Sequence, residues 1–472
     1  MTRILILLAS LSAAFAAQAQ HHSDDYTKPY QRQALTIYRD TIAMETSVGH
    51  HMVPTMAHYL ADRFRDGGFD DEDIHVLLFQ PPGGEETASL VVRYRGDGSA
   101  GKKPILFAGH MDVVGALRED WVRDPFTLIE EDGYFFGRGT ADDKSGTTLL
   151  TAAFLRLKSA GFVPTRDLII AFSGDEETAM ATIRDLVESH RDLIDAEFAI
   201  NADAGGGALN TDFSPIAYQL QASEKTYVDF ELIVRNPGGH SSRPHADNAI
   251  YRLADALKQV QGYSFPVRYN DITQKYFELR SEAETGEVAA AMLAFSKNPA
   301  DKEAAATLAR YPSHIGVTRT TCVATMLDAG HAVNALPQTA KANINCRVFP
   351  GIAIAEVHNK LKEIIADDEV EVAMIGNPES APASALREDV VDAISKAVHA
   401  IYPGIPIIPN MSTGATDGRT LRLAGIPTYG SIAIFGRAED AFSHGLNERV
   451  RVKSFFDALD HWQIVIHELA GR

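Results

Sequence analysis

Five short segments of the chain carry the carboxylate and imidazole side chains that bind divalent metal ions. A lone histidine or acid is usually a solvated surface group, but together the five segments offer just two histidines among many carboxylates. Such an oxygen-rich set suits a pair of divalent ions that share one carboxylate, and zinc is the default candidate. The residues are His110, Asp112, Asp142, Asp143, Asp175, Glu176, Glu177, Asp203 and His444.

Most of these segments follow apolar runs that are typical of buried strands. Runs at 104–108, 168–172 and 198–202 end close to such a segment, and helices are predicted between them at 147–159 and 182–189. Strands that alternate with helices predict an α/β fold with a mostly parallel sheet. Functional groups collect at the carboxyl ends of the strands in such sheets, so the segments are candidates for one common site.

The pattern changes near residue 219, where strands with period-two alternation replace the buried runs. Residues 226–234 alternate as a half-exposed antiparallel strand does. We therefore predict that an α+β lid or dimerisation domain, residues 219–380, is inserted into a catalytic domain made of residues 20–218 and 381–472. Periodicity also predicts helices at 30–64 and 246–261, a helical insertion at 273–310, strands at 320–329 and 338–348, and a C-terminal helix from 453.

The charge of the chain and its first residues limit where it acts. The formal net charge of −19 argues against a nucleic-acid partner, because such proteins need a basic surface. Residues 1–19 have the form of a signal peptide, with Arg3, an apolar run at 4–16 and a small-residue cleavage site at 17–19. That run is too short to span a bilayer, and we expect no membrane anchor. The short leader looks bacterial and predicts a secreted, periplasmic protein.

The chain has two cysteines, Cys322 and Cys346. This number excludes a disulfide-rich scaffold and a thiolate zinc site. The two residues lie on consecutive alternating strands, symmetrically about Asn334, so a hairpin would place them opposite each other. Disulfide geometry is demanding, and the sequence leaves both a disulfide and two free thiols open.

The motifs, taken in order, resemble those of the zinc exopeptidases, the family of glutamate carboxypeptidase, carnosinase-type dipeptidases, carboxypeptidase S and the aminoacylases. The resemblance runs from about residue 40 to about residue 470. It implies two zinc ions per subunit, bridged by Asp142, with a cis bond between Asp142 and Asp143. It places His110 and Asp203 on one ion and Glu177 and His444 on the other. The motifs are His110-Met111-Asp112, Gly137-Arg138-Gly139 with Asp142-Asp143-Lys144, Asp175-Glu176-Glu177, Asp203 and His444.

The resemblance also assigns catalytic roles. Glu176 would be the general base for a hydroxide that bridges the two zinc ions. Asp112, two residues after His110, is expected to accept the second ring N–H of that histidine. His240, in Gly238–Pro244, resembles a histidine that reaches the active site of the partner subunit, which implies a homodimer through the inserted domain. The alternative for His240 is a structural role as a residue of a turn.

Three further residues match family positions near the substrate carboxylate: Asn334, Arg347 and Gly414. Arginine suits this task because its planar fork binds a carboxylate through two parallel hydrogen bonds. The alternative for Arg347 is a salt-bridged strand residue.

Three functions compete for this set of residues. The first is a dipeptidase or carboxypeptidase that hydrolyses the amide bond of a small peptide. The second is an amidohydrolase of the aminoacylase type, which uses the same residues on N-acyl amino acids. The third is a non-catalytic relative that binds metal or peptide, and Glu176 argues against it because a binding protein has no use for a general base.

Overall fold

The computed structural model describes residues 26–244, 246–440 and 442–472. The expected signal peptide, residues 1–19, lies outside the described residues. Among the helices of the described ranges, none combines the length and the apolarity that crossing a membrane requires.

The first third of the chain alternates helices and strands, as its periodicity predicts. Its elements are α1 (Pro29–Ile42), α2 (Val53–Asp66), β1 (Ile74–Phe79), β2 (Thr87–Tyr94), β3 (Ile105–His110), β4 (Ile129–Glu131), β5 (Tyr134–Phe136), α3 (Lys144–Ser159), β6 (Leu168–Ser173), α4 (Ala181–Glu188), α5 (Arg191–Ile194), β7 (Phe198–Asn201), β8 (Gly206–Leu209) and β9 (Pro215–Glu224).

The middle of the chain forms a second sheet and a group of helices. Its elements are β10 (Thr226–Arg235), β11 (Gly239–His240), α6 (Ala249–Gly262), α7 (Asp271–Arg280), α8 (Gly286–Lys297), α9 (Lys302–Leu308), α10 (Pro312–Thr318), β12 (Thr321–Ala329), β13 (Ala335–Leu336), β14 (Thr339–Val348), α11 (Ile354–Ile365) and β15 (Val370–Ile375).

The last part of the chain returns to the first sheet. Its elements are α12 (Glu388–Ile401), β16 (Ile407–Ser412), α13 (Gly418–Leu423), β17 (Thr428–Gly430), β18 (Phe435–Arg437), β19 (Arg449–Arg451) and α14 (Val452–Ala470).

The main sheet has ten strands in the order β1-β2-β6-β3-β7-β17-β9-β8-β18, with β16 paired to β9. Its centre is parallel: β3 pairs with β6 and β7, and β7 with β17. Alternate residues of β3 pack into different apolar clusters, Phe107 into one and Leu106 into the other. Burial on both faces explains why these strands read as continuous apolar runs. The expected α/β architecture is confirmed.

The second sheet is antiparallel, in the order β12-β14-β10-β15. Helices α6 and α11 cover one face with an apolar cluster that includes Phe230, Ile344 and Leu361. Cys322 on β12 lies opposite Cys346 on β14, and the two form a disulfide, so the first of the two open alternatives is correct. β12 is an edge strand, and the side chains of residues 323–329 along it are exposed.

The helices α7 to α10 belong to the middle segment of the chain but pack against the main sheet as well. Phe277, Phe295 and Leu308 from these helices share an apolar cluster with Met411 on β16. This contact joins the inserted segment to a strand that borders the site described below.

Two boundaries differ from those expected. The single helix expected at 30–64 is two helices, α1 and α2. Residues 43–52 separate the two helices, and within this stretch Gly49 and His51 have positive φ of 96° and 55°, a conformation that residues of a right-handed helix do not adopt. The main sheet extends through Glu224 of β9, so the second sheet begins at residue 226 rather than near 219.

Candidate active site

Three parallel strands end side by side at one edge of the main sheet. His110 closes β3 in register with Ser173, the last residue of β6, and Ala108 pairs with Asn201, the last residue of β7. The segments that follow these strands therefore emerge together. This register brings residues from distant parts of the sequence to one edge, as parallel strand ends are expected to do.

Asp142 lies between two histidines. Its Oδ1 is 3.0 Å from Nε2 of His110, and its Oδ2 is 3.3 Å from Nε2 of His444. Each carboxylate oxygen therefore faces a different imidazole. A carboxylate placed in this way could be shared by two metal ions. The bond between Asp142 and Asp143 is cis, as the resemblance implied.

The remaining expected ligands complete two groups around Asp142. Oδ1 of Asp203 is 3.6 Å from Nε2 of His110, and Oε1 of Glu177 is 2.8 Å from Nε2 of His444. The structure thus brings His110 together with Asp203, and His444 together with Glu177, each beside one oxygen of Asp142. All five residues proposed as ligands meet at this edge.

Asp143 is a competing donor that the sequence reasoning left without a role. Its carboxylate can form a ligand group with His110 and Asp203, while a second such group combines His110, Asp142 and Glu177. However, Oδ2 of Asp143 accepts the backbone N–H of His110 at 3.2 Å, and the residue is fully buried. A carboxylate bonded to the backbone behind the ligand histidine is better placed to support that histidine than to replace Asp142.

The site concentrates negative charge in a poorly solvated place. Burial, together with the charge of Asp203, raises the pKa of Glu176 above its ordinary value, and burial also raises the pKa of Glu177 to about 7. Burial alone would lower the pKa of His110, but Asp203, Asp112 and Asp142 raise it well above its ordinary value. Buried charges of one sign require compensation. Divalent cations held by these donors would supply that compensation, so the residues present fit a metal pair.

Asp112 connects the loops that follow β3 and β6. One carboxylate oxygen accepts the backbone N–H of Glu176 at 3.1 Å, and the other accepts that of Glu177 at 3.0 Å. Nδ1 of His110 lies 3.1 Å from the backbone oxygen of Asp112 but 3.4 Å from its carboxylate. The ring is therefore oriented mainly by the backbone carbonyl, and the carboxylate fixes the positions of Glu176 and Glu177.

Glu448 holds the backbone of the loop that carries Asp142 in the same way. Its oxygens accept the backbone N–H groups of Gly139, Ala141 and Asp142 at 3.1, 2.6 and 3.0 Å, and Arg138 donates to it at 2.6 Å. The Glu448 side chain is fully buried. Glu448 lies four residues after His444, so one short stretch of the chain contains both a proposed ligand and the residue that shapes the Asp142 loop.

A cavity of about 340 Å³ opens onto the metal-binding edge. Glu176 lines it beside Asp142, Asp203 and His444, and the Glu176 side chain makes no hydrogen bond among the described residues. A carboxyl group that borders the cavity without another partner is placed to exchange a proton with a bound molecule.

His240 and Asn334 lie together, away from this cavity. β11 and β13 form a two-stranded ribbon, and the backbone N–H of Ser241 donates to the backbone oxygen of Asn334 at 3.0 Å. His240 is exposed, and its Nδ1 interacts with the N–H and hydroxyl of Ser242 at 3.1 and 2.8 Å. The structure therefore does not bring these two residues to the metal-binding edge of the same chain.

Arg347 and Gly414 lie together near the rim of the cavity. Arg347 donates to the backbone oxygen of Thr413 at 3.0 Å and stacks on Tyr227, with 4.7 Å between the guanidinium carbon and the ring centre. Gly414 is the next residue, and its N–H donates to Ser412, which lines the cavity. Arg347 has no salt bridge among the described residues, which speaks against the alternative of a salt-bridged strand residue.

Asp417 is a site residue that the motif analysis overlooked. It is buried beside Ser173, with which it forms a short hydrogen bond, and its charge contributes to the raised pKa of Glu176. The available signal was its position in a segment, Ser412 to Asp417, that again follows a strand of the main sheet.

The chain is similar in sequence to known hydrolases. The sequence profile described as peptidase family M20/M25/M40 matches residues 106–468. The human N-fatty-acyl-amino acid synthase/hydrolase PM20D1 is 29% identical over 365 residues, which cover 75% of this chain and 71% of PM20D1. Probable carboxypeptidase S-like 2 of Dictyostelium discoideum is 29% identical over 390 residues, which cover 80% of this chain and 74% of that protein.

A solved structure shows the same fold. The M20 family metallo-carboxypeptidase Sso-CP2 from Sulfolobus solfataricus matches with a TM-score of 0.70 at 18% identity, over 93% of this chain and 99% of Sso-CP2. The profile match spans well over half of the sequence and contains every proposed metal ligand. The chain belongs to peptidase family M20/M25/M40, and it is a hydrolase of the metallopeptidase and amidohydrolase type.

Proposed function

We propose that this protein is a secreted zinc hydrolase that cleaves the amide bond of small peptides, as a dipeptidase or a carboxypeptidase. The observation that carries the proposal is the position of Asp142, with one oxygen beside His110 and the other beside His444. A carboxylate placed in this way can serve two ions at once. A protein that only bound peptides would not need that arrangement next to a carboxyl group such as Glu176.

His110 and Asp203 would hold one zinc ion, Glu177 and His444 the other, and Asp142 both. When bound, such a pair acidifies water and polarises a carbonyl group. The neutral donors and the carboxylates present are those that zinc accepts. Asp112 and Glu448 restrain the loops on which the ligands lie, and this restraint favours a site whose geometry is set before substrate arrives.

Glu176 is proposed as the general base. It would take a proton from the attacking water and transfer it to the leaving nitrogen, so that the amide bond breaks as a neutral amine departs. Its position supports the role, because Glu176 lines the cavity beside Asp142, Asp203 and His444 and its side chain makes no hydrogen bond among the described residues.

An amidohydrolase of the aminoacylase type is the second candidate. It would use the same residues on an N-acyl amino acid. The similarity to PM20D1, whose name describes a synthase/hydrolase of N-fatty-acyl amino acids, favours this alternative. Arg347 and Gly414 near the cavity rim suit the free carboxylate that both kinds of substrate carry.

The inserted domain is proposed to pair with a second copy across a two-fold axis. β12 is an edge strand, and its Val323, Met326 and Leu327 are 60, 71 and 66% exposed. Long exposed apolar edges are usually covered in soluble proteins. His240, which lies away from the site of its own chain, would then complete the site of the partner as a donor to the developing oxyanion. Residues 1–19 are proposed to direct export to the bacterial periplasm.

Substitution of the proposed base tests the function. We expect Glu176→Gln to keep two zinc ions and the wild-type melting temperature while the rate of hydrolysis falls by about two to four orders of magnitude. The assay is a panel of dipeptides, longer peptides and N-acyl amino acids, with metal content measured by elemental analysis. A variant that retains a tenth of the wild-type rate would show that the base lies elsewhere.

The same panel separates the two candidate functions. Wild-type protein that hydrolyses dipeptides faster than N-acyl amino acids supports the first candidate, and the reverse order supports the second. Failure of freshly purified, zinc-loaded protein on every substrate would refute both.

A further inference from the structure

We propose that Gln219 and Asn410 form a specificity subsite for an uncharged, hydrogen-bonding side chain of the substrate, and that this subsite disfavours a long alkyl group. The inference rests on the proposed hydrolysis of amide bonds. The cavity that opens onto the metal-binding edge extends to a wall formed by Gln219, Gln221, Asn410 and Ser412. None of these four residues is a proposed metal ligand.

The polar wall comes from one face of β9 and the strand beside it. Tyr218, Leu220 and Ala222 of β9 are buried in the main apolar cluster. Because strand side chains alternate, Gln219 and Gln221 face the other way, towards the cavity. Asn410 lies on β16, which pairs with β9 in parallel. Two strands therefore present amide side chains where an alkyl-binding pocket would carry apolar ones.

The Asn410 side chain leaves hydrogen-bonding capacity unused. Its Nδ2 donates to Oε1 of Gln219 at 2.6 Å, while its Oδ1 is buried and has no hydrogen-bond partner among the described residues. The Nε2 group of Gln219 likewise has no partner in the described chain. If the oxygen and nitrogen atoms of both amide groups were exchanged, the pair would still have one free hydrogen-bond donor and one free acceptor. A carboxamide or hydroxyl group offers both a donor and an acceptor and so matches this pair.

Charge at this end of the cavity favours a neutral ligand. Glu224, the nearest acid on β9, is fully buried and paired with Arg422, and it accepts hydrogen bonds from Gln221 and Thr416. It is therefore not free to bind a cationic side chain. The wall itself, formed by Gln219, Gln221, Asn410 and Ser412, carries no positive charge that would bind an acidic side chain.

Two glycines keep the amides close to the neighbouring backbone. A Cβ atom at Gly205, where φ is +77°, would lie 2.6 Å from the backbone oxygen of Gln219. A Cβ atom at Gly430 would lie 2.4 Å from Oε1 of Gln221. Both distances are shorter than real contacts allow, so the position of the polar wall depends on these two glycines.

The experiment compares matched substrates. One set consists of dipeptides with glutamine or serine next to the scissile bond, in either position, and the other has norleucine in the same places. N-acetyl and N-dodecanoyl amino acids form a second pair. We expect the zinc-loaded wild-type protein to have the higher kcat/KM on the polar member of each dipeptide pair in one of the two positions, and on the acetyl compound.

The variant Gln219→Met has a side chain of similar length without the amide. It should lower the preference for the polar substrate about tenfold, the value of roughly one hydrogen bond, while zinc content stays at the wild-type level. Asn410→Leu should act in the same direction. Gln33→Leu, a change on the exposed surface of α1, is the control and should leave the ratio as it is in the wild type.

The outcomes distinguish this inference from the proposed function. Wild-type protein that hydrolyses the alkyl substrates better would overturn the subsite but not the hydrolase. The same conclusion follows if Gln219→Met and Asn410→Leu fold, bind zinc and keep the wild-type ratio. If neither variant folds, the wild-type preference alone decides. Protein that hydrolyses no amide substrate refutes the proposed function itself.

Discussion

The metal-binding edge of the main sheet and the ribbon of β11 and β13 differ in how firmly their polar side chains are held. At the edge, both oxygens of Asp112 and both oxygens of Glu448 accept backbone N–H groups. In the ribbon, His240 is exposed, and the contacts of its ring are with Ser242, two residues away.

This difference indicates that the two regions have different roles in catalysis. The edge resembles a preorganised site, in which buried carboxylates fix the backbone that carries the ligands. The ribbon has no such support within the described chain. Its polar residues can contribute to catalysis only when a substrate, a closure of the lid or a second subunit brings them to a metal-binding edge.

The largest effect is expected at the edge, from Asp142→Asn. The substitution preserves shape but removes the charge that both ions would share, so both zinc ions should be lost and activity should fall to the background of the assay. Elemental analysis and turnover measurements test this. Asp392→Asn, on the exposed surface of α12, is the matched control and should keep both ions. An Asp142→Asn protein with two bound ions would contradict the proposed sharing.

The ribbon should show a smaller loss with a different signature. We expect His240→Ala to lower kcat by about 10²–10³, as removal of one oxyanion donor does, with zinc content unchanged. If the histidine acts on the partner subunit, mixing His240→Ala with Glu176→Gln under subunit exchange should restore part of the activity. In each mixed dimer, one site then has both groups intact.

The oligomeric state, measured by light scattering, can contradict a role of His240 in the partner subunit. A protein that is monomeric at the assay concentration and fully active would rule out a histidine that acts in trans. His240 would then have to reach its own site by closure of the lid.

The smallest effect is a change in stability, and it concerns His461, which is buried on the C-terminal helix α14. Burial lowers the pKa of His461 to about 3, whereas a histidine in an unfolded chain titrates near 6.5. Between these values the unfolded chain binds the proton and the folded chain does not. His461 should therefore reduce the free energy of unfolding as the pH falls from about 6.5 towards 3, by about 2 kcal/mol at pH 5.

Urea unfolding of the wild-type protein and of His461→Gln at pH 7 and pH 5 measures the contribution of His461 to the free energy of unfolding. The variant lacks the titrating group, so its free energy of unfolding should fall less between the two pH values. Equal decreases for the two proteins would show that His461 contributes nothing to the pH dependence.

Much of the site was predictable because its residues follow recognisable strands. The runs before His110, Glu176 and Asp203 are apolar on both faces, and parallel strands of that kind place their carboxyl ends together. The roles of Asp112 and Asp417 were harder to predict. Asp112 was expected to hold the ring of His110, but its carboxylate mainly holds the backbone of the next loop. Almost any residue can supply a backbone N–H group, so the sequence does not show which of these groups a carboxylate will bind.

The sequence by itself determined the α/β pattern, the inserted antiparallel unit and the set of candidate ligands, because periodicity and side-chain chemistry are local properties. The resemblance implied that Asp142 joins the two histidines, and the sequence left a disulfide open, but only the tertiary structure shows these groups in contact. It placed one oxygen of Asp142 beside His110 and the other beside His444, joined Cys322 to Cys346, and turned Gln219 and Asn410 into one wall of the cavity. These contacts join residues that are as much as about 300 positions apart, and strand order and register, which no local pattern encodes, bring them together.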